Sequence, residues 1–224
     1  MRVMAIVADS LDEPADLSRT RERITYAARE ALQGADSASF TVRDVKTGIV
    51  ETAAATDDIL YEVDRLQYEL KEGPCFDAVT VDEIAISADI GTDPRWPHFG
   101  PRAAALGVGS QLGIRLRDGD VVEGLNLYAR ASDTFREPLD DVRMVAAQAR
   151  SILGYARTNQ TLTQGLASRT VIGAAVGIVM ERYQLEESQA FQFLVRVSQT
   201  SNLKLRDVAE SLVHPSQPQA KSAE

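Results

Sequence analysis

The sequence has few residues that could carry metal, redox or covalent chemistry. It contains one cysteine, Cys75, and two histidines, His98 and His214. A single cysteine excludes an intrachain disulfide and a cysteine-based zinc site. His98 has no second ligand at a suitable spacing, so a hydrogen-bonded histidine is favoured over a haem or metal ligand. The sequence therefore predicts no metal site and no cofactor.

Long apolar runs and an excess of basic residues are also missing. The apolar start Met1–Ala8 is too short for a signal peptide, and no run is expected to approach a membrane span. We therefore expect a cytoplasmic protein with no membrane partner. The 224 residues include 24 Lys and Arg against 33 Asp and Glu, a net charge of −9. Such an acidic chain is unlike a protein that simply coats nucleic acid.

The acidic excess is confined to the first part of the chain. Residues 1–159 hold 18 basic and 27 acidic side chains, whereas residues 160–214 hold five of each. The C-terminal part repels RNA less, but it has no basic patch. If it binds nucleic acid, its affinity must depend on a few placed contacts.

The first two-thirds of the chain has the pattern of an antiparallel sheet with helices. The predicted elements are a helix at 15–32, strands at 37–44 and 49–55, a short helix or loop at 57–69, a strand at 84–90, strands at 107–116 and 121–128, and a helix from 138 to about 160. Paired strands without long helices between them disfavour a phosphoacceptor receiver domain and predict an α+β fold, with helices on one face of the sheet. Residues 1–14 are expected to be a strand-like or disordered leader.

The helix predicted at 138–160 carries an apolar stripe with the spacing of a helix–helix seam. The stripe consists of Leu139, Val142, Ala146, Ala149, Leu153 and Ala156. It either packs on the sheet of its own chain or pairs with the same helix of a second chain, and we favour a homodimer. The polar stretch 158–164 is the best candidate for a hinge, either helical or kinked. Residues 215–224 are expected to be a disordered tail.

The stretch Arg169–Val213 predicts three short amphipathic helices. Their apolar stripes are Ile172, Ala175, Val176 and Val179, then Ala190, Phe191, Leu194 and Val197, and finally Leu205, Val208, Ala209 and Leu212. None of these helices could bury its stripe alone, so a bundle around one shared core is expected. Asn202 is expected to cap the third helix, and Gly177 to allow close helix contacts.

This C-terminal stretch resembles the ANTAR domain, the RNA-binding module of transcription antitermination regulators. The matching positions are Arg169, Ile172, Ala175, Gly177, Ile178, Met180, Ala190, Phe191, Leu194, Asn202, Val208 and Ala209. The sequence departs from the family at Val176, where many members have Lys or a polar residue. It also has Gln184 and Glu186 where a Gly and a Ser, Thr or Asp cap are common.

The ANTAR resemblance implies that exposed residues of the bundle contact RNA. The basic candidates are Arg169, Arg182, Lys204 and Arg206. For each of them the alternative is a solvated helix residue or an ion pair within a helix, which contributes little to stability.

Residues 15–157 resemble a GAF sensory domain of the subgroup fused to ANTAR domains in actinobacteria. The resemblance is carried by residues 64–79, 93–97, 107–112 and 124–128. It implies a small-molecule cleft between the sheet and its covering loops. The candidate pocket residues are Gly73, Cys75, Asp77 and Trp96.

Two of these pocket candidates have a second interpretation. Cys75 could contact a ligand or react, but an inert buried thiol is favoured. Trp96, the only tryptophan, could close a pocket or cap the core beneath a loop.

The sequence thus predicts a signal-responsive regulator with a GAF domain at 15–157 and an ANTAR domain at 158–214. The first domain would sense a small molecule or a partner, and the second would bind hairpins in leader transcripts and block termination. An enzyme is not expected, because residues 139–166 lack a histidine to phosphorylate and no Gly-rich nucleotide loop or catalytic cluster occurs. The alternatives are a DNA-binding regulator that uses 187–199 and 203–213 as a helix-turn-helix, and a signalling adaptor that binds no nucleic acid.

Overall fold

The computed structural model describes residues 16–136 and 140–214. The chain divides into two compact units between Gln160 and Thr161. The predicted leader, the predicted tail, and the seam residue Leu139 lie outside the described residues. The domain boundaries proposed from the sequence stay predictions.

The first unit is built on one antiparallel sheet. Its elements are α1 (Leu17–Ala31), β1 (Ser37–Asp44), β2 (Val50–Ala55), α2 (Ile59–Leu70), α3 (Pro74–Thr80), β3 (Ile84–Ser87), α4 (Phe99–Ala105), β4 (Ser110–Arg117), β5 (Val121–Ala129) and the start of α5 (Asp140–Tyr183). The five strands are ordered β2-β1-β5-β4-β3, and every neighbouring pair is antiparallel. The predicted α+β fold is confirmed.

One face of the sheet is apolar and is covered by α1 and the first turns of α5. The strands supply Phe40, Leu112, Leu125 and Leu127, because alternate residues of a strand point to the same face. The helices supply Ile24, Ala28 and Leu32 from α1, and Val142, Ala146, Ala149 and Leu153 from α5. The described part of the α5 stripe therefore packs on the sheet of its own chain. This corrects the preferred prediction that helix 139–160 pairs with a second chain through that stripe.

The opposite face of the sheet is covered by α2 and α3, with α4 packed against α2, so the prediction of helices on one face only was wrong. An apolar cluster of Leu60, Val63, Ile90, Trp96, Phe99, Ala103, Val108 and Tyr128 lies on this side. Two helices on this side, α3 and α4, were missed in the sequence because they have seven residues each. Helices of that length are too short to show a clear apolar period.

Helix α5 runs without interruption from Asp140 to Tyr183. The prediction that it ends near residue 160 was wrong, and so was a separate helix starting at Arg169. The polar stretch 158–164 is helical, and the Thr158 hydroxyl donates a hydrogen bond to the Gly154 carbonyl oxygen, 3.0 Å away. This stretch contains no proline and no helix-ending glycine, so nothing in it stops the helix.

By length and composition alone, α5 is also the one described helix that could cross a membrane. That corrects the expectation that no run approaches a membrane span. The same test is passed by core helices of soluble proteins, so it is weak support for a membrane span.

The second unit contains the end of α5 with α6 (Glu187–Ser201) and α7 (Leu205–Val213). Their shared core consists of Ala175, Val176, Val179, Ala190, Leu194, Val208 and Ala209. The predicted three-helix core is confirmed with two exceptions. Phe191 is 43% exposed, and a Cβ added at Gly177 would meet nothing within 4 Å, so this glycine is not at a helix contact.

The ends of these helices differ from the predicted caps. Asn202 ends α6 in the left-handed conformation, with φ 55°, and the N-cap of α7 is Lys204. Gln184 adopts φ 53°, a conformation more easily adopted by glycine. Glu186 forms a capping box with Gln189 at the start of α6. Gln184 and Glu186 therefore take the places of the glycine and the short polar cap common in ANTAR domains.

Candidate functional site

A buried polar network lies between the sheet and helices α2 and α3. Asp64 is its centre: one carboxylate oxygen accepts from the Thr52 hydroxyl at 2.8 Å, and the other from the Gln67 amide at 3.3 Å and from the Tyr128 hydroxyl. Burial raises the pKa of Asp64 to about 6, while hydrogen bonds from Tyr128, Ser39 and Thr52 oppose the rise. The network therefore contains a carboxyl group that titrates near pH 6.

Gln67 joins α3 to this network. Its side-chain oxygen accepts from the Cys75 backbone N–H at 2.9 Å and from the Gln111 amide at 3.1 Å. Gly73 begins α3 with φ 114°, and a Cβ at this position would lie 2.3 Å from the same Gln67 oxygen. Only glycine combines this backbone conformation with such a close approach.

The Cys75 thiol is buried in the same network. Its sulfur lies 3.0 Å from the Thr41 hydroxyl. Burial, followed by the charge of Asp64, raises the pKa of the thiol. Because the thiolate is the nucleophilic form, this cysteine is held in its unreactive form.

Two oxygen atoms of the network lack a hydrogen-bond partner within the described residues. Asn126 donates through its amide to the hydroxyls of Ser39 and Thr41, at 3.0 and 2.8 Å. Its own oxygen, and that of Gln111, are buried without a donor. Buried acceptors are normally paired, so these atoms suit a bound molecule that supplies N–H or O–H donors.

Asp77 and Trp96 form a separate pair. The Trp96 indole N–H donates to an Asp77 carboxylate oxygen at 2.9 Å, and the Arg95 guanidinium lies 4.2 Å from the centre of the indole ring. Partial burial raises the pKa of Asp77. Trp96 is 2% exposed and belongs to the apolar cluster with Phe99, so it caps this core.

The structure divides the four predicted pocket residues between two places. Gly73 and Cys75 lie beside Gln67. Asp77 and Trp96 are hydrogen-bonded to each other. His98 hydrogen-bonds Glu72 through Nδ1 at 2.6 Å. Among the described residues no group of three or more His, Cys, Asp or Glu side chains could hold a metal ion.

The sequence did contain a signal for the polar network, which we missed. Asp64, Gln67 and Tyr68 share one helix face by their spacing, and polar residues alternate with apolar ones in β1 and β5. That alternation usually indicates a face in contact with water. Here α2 and α3 cover the polar face, as only the structure reveals.

The second unit has an open groove of about 870 Å³ along α5 and the start of α6. Its lining residues are Arg169, Ile172, Gly173, Val176, Gly177, Met180, Glu186, Glu187, Ser188, Phe191 and Leu205. The groove is mainly apolar, with one basic and two acidic residues. Val176 also belongs to the bundle core, so a lysine in its place would lose packing there.

The four basic residues predicted to bind RNA are all exposed. Arg169 lines the groove, and Lys204 directly precedes Leu205, which also lines it. Arg206 pairs with Glu210 one turn later, Nε to Oε1 at 2.8 Å, as the alternative interpretation anticipated. Arg182 lies in the last turn of α5.

Comparison with known families identifies the second unit. Residues 160–213 match the ANTAR domain family. These residues form an ANTAR domain. ANTAR domains are RNA-binding modules of transcription antitermination, so the chain carries a regulatory RNA-binding domain. A comparison with curated proteins found no similar sequence.

The first unit has the GAF fold. A GAF domain from a Coxiella burnetii phosphoenolpyruvate-protein phosphotransferase is 18% identical, with a TM-score of 0.52, covering 71% of this chain and 94% of its own. A domain of a Sinorhizobium meliloti two-component sensor histidine kinase protein is 14% identical, with a TM-score of 0.51 and coverages of 68% and 97%. The free methionine-R-sulfoxide reductase of Neisseria meningitidis is 15% identical, with a TM-score of 0.53 and coverages of 70% and 86%. The GAF–ANTAR architecture expected from the sequence is thus confirmed. The actinobacterial origin stays a prediction.

Proposed function

We propose that this chain is a signal-responsive transcription antitermination regulator. The observation that carries the proposal is the ANTAR match at 160–213 on a bundle with its own core and an open groove. The GAF-fold unit senses a small molecule or a protein partner, and the ANTAR domain binds hairpins in leader RNA and so prevents a terminator from forming. The protein acts in the cytoplasm.

The proposal assigns no enzymatic activity to the GAF-fold unit, although the structures similar to it include reductases. Likeness at 15% identity concerns the fold only. The one cysteine is buried and its thiol pKa is raised. The GAF-fold unit therefore has neither the thiolate nor the second thiol that disulfide exchange requires.

Within this proposal, Arg169 and Lys204 contact RNA phosphates. Neither side chain has a hydrogen-bond or ion-pair partner among the described residues, whereas the Arg206 side chain is engaged by Glu210. We expect Arg169→Ala with Lys204→Ala to weaken hairpin binding at least about tenfold, because two phosphate contacts are lost. Gel-shift titration measures this, with exposed Arg196→Ala as the control for loss of a basic charge on the same unit.

The gel-shift assay also separates the proposal from its alternatives. Duplex DNA should compete poorly for the labelled RNA hairpin. Effective competition would favour the helix-turn-helix alternative, and no binding of either nucleic acid would favour a signalling adaptor. Unchanged binding by the double variant would remove Arg169 and Lys204 from the interface.

We further propose that the chain is a homodimer that pairs through a different surface from the buried α5 stripe. Leu162 and Leu166 lie one turn apart on α5 and are 60% and 66% exposed. Leu162→Glu with Leu166→Glu should convert a dimer to a monomer in sedimentation equilibrium. Leu203→Glu, at a residue 53% exposed, should leave the dimer intact. A monomeric wild-type chain, or a double variant that still dimerises, would contradict this interface.

The signal is proposed to act on the buried polar network. A ligand with N–H or O–H donors would satisfy the unpaired oxygens of Gln111 and Asn126. Such a ligand should raise the melting temperature of the wild-type chain but not of Gln111→Leu. An equal rise in both would place the ligand elsewhere.

A further inference from the structure

Helix α3 covers the buried polar network without being part of an apolar core. Its buried side chains are all small, namely Pro74, Cys75, Ala78 and Val79. None of them belongs to the two apolar clusters that the described residues of this unit form. Because hydrophobic stabilisation follows the apolar area removed from water, α3 loses little of it on leaving the sheet.

Polar contacts hold α3 on the sheet, and water can replace each of them. At its start, the Cys75 backbone N–H donates to a side-chain amide oxygen of α2 at 2.9 Å. In its middle, Asp77 accepts from the Trp96 indole N–H at 2.9 Å. At its end, the Arg43 guanidinium donates to the Val79 carbonyl oxygen at 3.1 Å. Exchange with water makes the net stability from such bonds small.

The network beneath α3 has unmet hydrogen bonds while the helix covers it. The Gln111 amide donates to the same Gln67 oxygen as the Cys75 N–H does. The Asn126 amide donates to the Thr41 hydroxyl, which also contacts the Cys75 sulfur. The side-chain oxygens of Gln111 and Asn126 are buried without a donor among the described residues. Water that enters beneath a displaced α3 supplies those donors, which lowers the free energy of the open state.

Both ends of the segment that carries α3 are anchored. Before it, the Glu72 carboxylate accepts from two backbone N–H groups at the start of α4, at 2.9 Å each. After it, the Glu83 carbonyl oxygen accepts from a backbone N–H of β4 at 2.8 Å. Residues 73–82 can therefore move while both flanks stay in place. The segment begins at Gly73, whose φ of 114° is easily adopted only by glycine.

We propose that α3 is a lid that opens as a local unit while the rest of the GAF-fold unit stays folded, and that this opening admits the signal molecule to the polar network. The inference rests on the proposed sensing role of that network. It adds the route by which a fully covered site becomes accessible. Segments with few buried apolar contacts are those that open below the free energy of global unfolding.

The test uses Cys75 as a reporter in the full chain. Cys75 is the only cysteine and is fully buried in the lid, so a thiol reagent reaches it only after an opening. Labelling by N-ethylmaleimide is followed by mass spectrometry, at reagent concentrations where the rate is proportional to reagent. The limit set by global unfolding is the unfolding constant, from Trp96 fluorescence in urea, multiplied by the labelling rate of the unfolded chain.

We expect the native chain to be labelled at least about tenfold faster than this limit, because the lid opens more readily than the unit unfolds. The rate should change little with urea at low concentration, because a local opening exposes little surface. Val142→Ala separates the two routes, since Val142 packs on the opposite face of the sheet. It should raise the unfolding constant about tenfold and leave the Cys75 labelling rate unchanged.

A second variant acts on the lid itself. A Cβ at Gly124 of β5 would lie 2.8 Å from Val79 Cγ1 of the lid. Gly124→Ala should therefore speed labelling about tenfold, because crowding of this kind destabilises the closed state. Gly154→Ala is the matched control, since a Cβ there would meet nothing within 4 Å. Its labelling rate should equal that of the wild-type chain.

Two results would overturn the lid. In one, the native chain is labelled at the global limit and Val142→Ala speeds labelling in proportion to its unfolding constant, so that Cys75 is reached only by unfolding. In the other, Gly124→Ala is labelled no faster than Gly154→Ala, so that the opening does not involve α3 leaving β5. Neither arm contains RNA or a ligand, so failure of the lid is distinct from failure of the proposed function, which the gel-shift and melting assays test.

Discussion

Glu123→Ala should lower the free energy of unfolding of the first unit by about 3 kcal/mol, because it leaves two arginines facing a buried gap. The Glu123 side chain is fully buried on β5. Its Oε1 accepts from Arg21 of α1 at 2.7 and 2.9 Å, and its Oε2 lies 2.6 Å from Arg157 Nη2 of α5. One carboxylate therefore ties both helices of the apolar face to the sheet. The two arginines retain some contact with solvent, so we take the lower end of the range for broken buried pairs.

Fluorescence of Trp96 during urea unfolding measures this effect. Trp96 is the only tryptophan and is buried in the first unit, so its signal reports that unit alone. Glu69→Ala is the matched control, since its pair with Arg65 is on the surface. Such a pair contributes at most about 1 kcal/mol. Equal midpoints for Glu123→Ala and Glu69→Ala would show that the buried ion pairs do not stabilise the unit.

Asp64→Asn should stabilise the first unit at pH 7.5 by up to about 3 kcal/mol. The native pKa is about 6, above the ordinary value of 3.8. Between these values the native state holds a proton that the unfolded state has released. The stabilisation that the protonated Asp64 carboxyl contributes is therefore fully present below pH 3.8. It is lost as the pH rises through about 6. Each pKa unit corresponds to about 1.4 kcal/mol of stability. The neutral amide of asparagine does not ionise and therefore avoids this loss of stability.

The measurement is the difference between Asp64→Asn and wild type at pH 7.5 and pH 4.5, again by Trp96 fluorescence. The difference should be largest at pH 7.5 and fall to about one third of that value at pH 4.5, where the unfolded-state carboxyl is still mostly ionised because its pKa is 3.8. Asp58→Asn serves as the control, because Asp58 is exposed and makes no side-chain cap hydrogen bond. A destabilised Asp64→Asn at pH 7.5 would mean that the network requires the charged carboxylate.

The elements that were predicted well are those in which one periodic signal dominates. β1 was predicted with its observed bounds, and the three stripes of the ANTAR bundle form one core. In these stretches the burial of apolar side chains alone decides the structure.

The wrong structural predictions have physical causes that a single sequence does not display. Residues 158–164 are polar, and a polar surface stretch of one long helix has the same composition as a hinge. The α5 stripe fits its own sheet as well as it would fit a second helix, so spacing could not choose between them. Asn202 suits both an N-cap and a left-handed helix end, and the structure uses the second.

The candidate site was harder to predict than the fold. The sequence pointed to Gly73, Cys75, Asp77 and Trp96 through a family resemblance. Asp64, at the centre of the polar network, stands in an ordinary helical pattern, and its raised pKa comes from burial beneath two helices. Phe191 presents the reverse case, because its spacing predicts the core while its side chain lines the groove.

The most direct test of the account is to crosslink the protein to RNA in cells and sequence what is bound. The account predicts enrichment of leader transcripts in which paired stem-loops overlap a terminator, and loss of that enrichment in the Arg169→Ala, Lys204→Ala variant. Recovery of DNA instead of RNA, or of RNA without stem-loops at terminators, would contradict it.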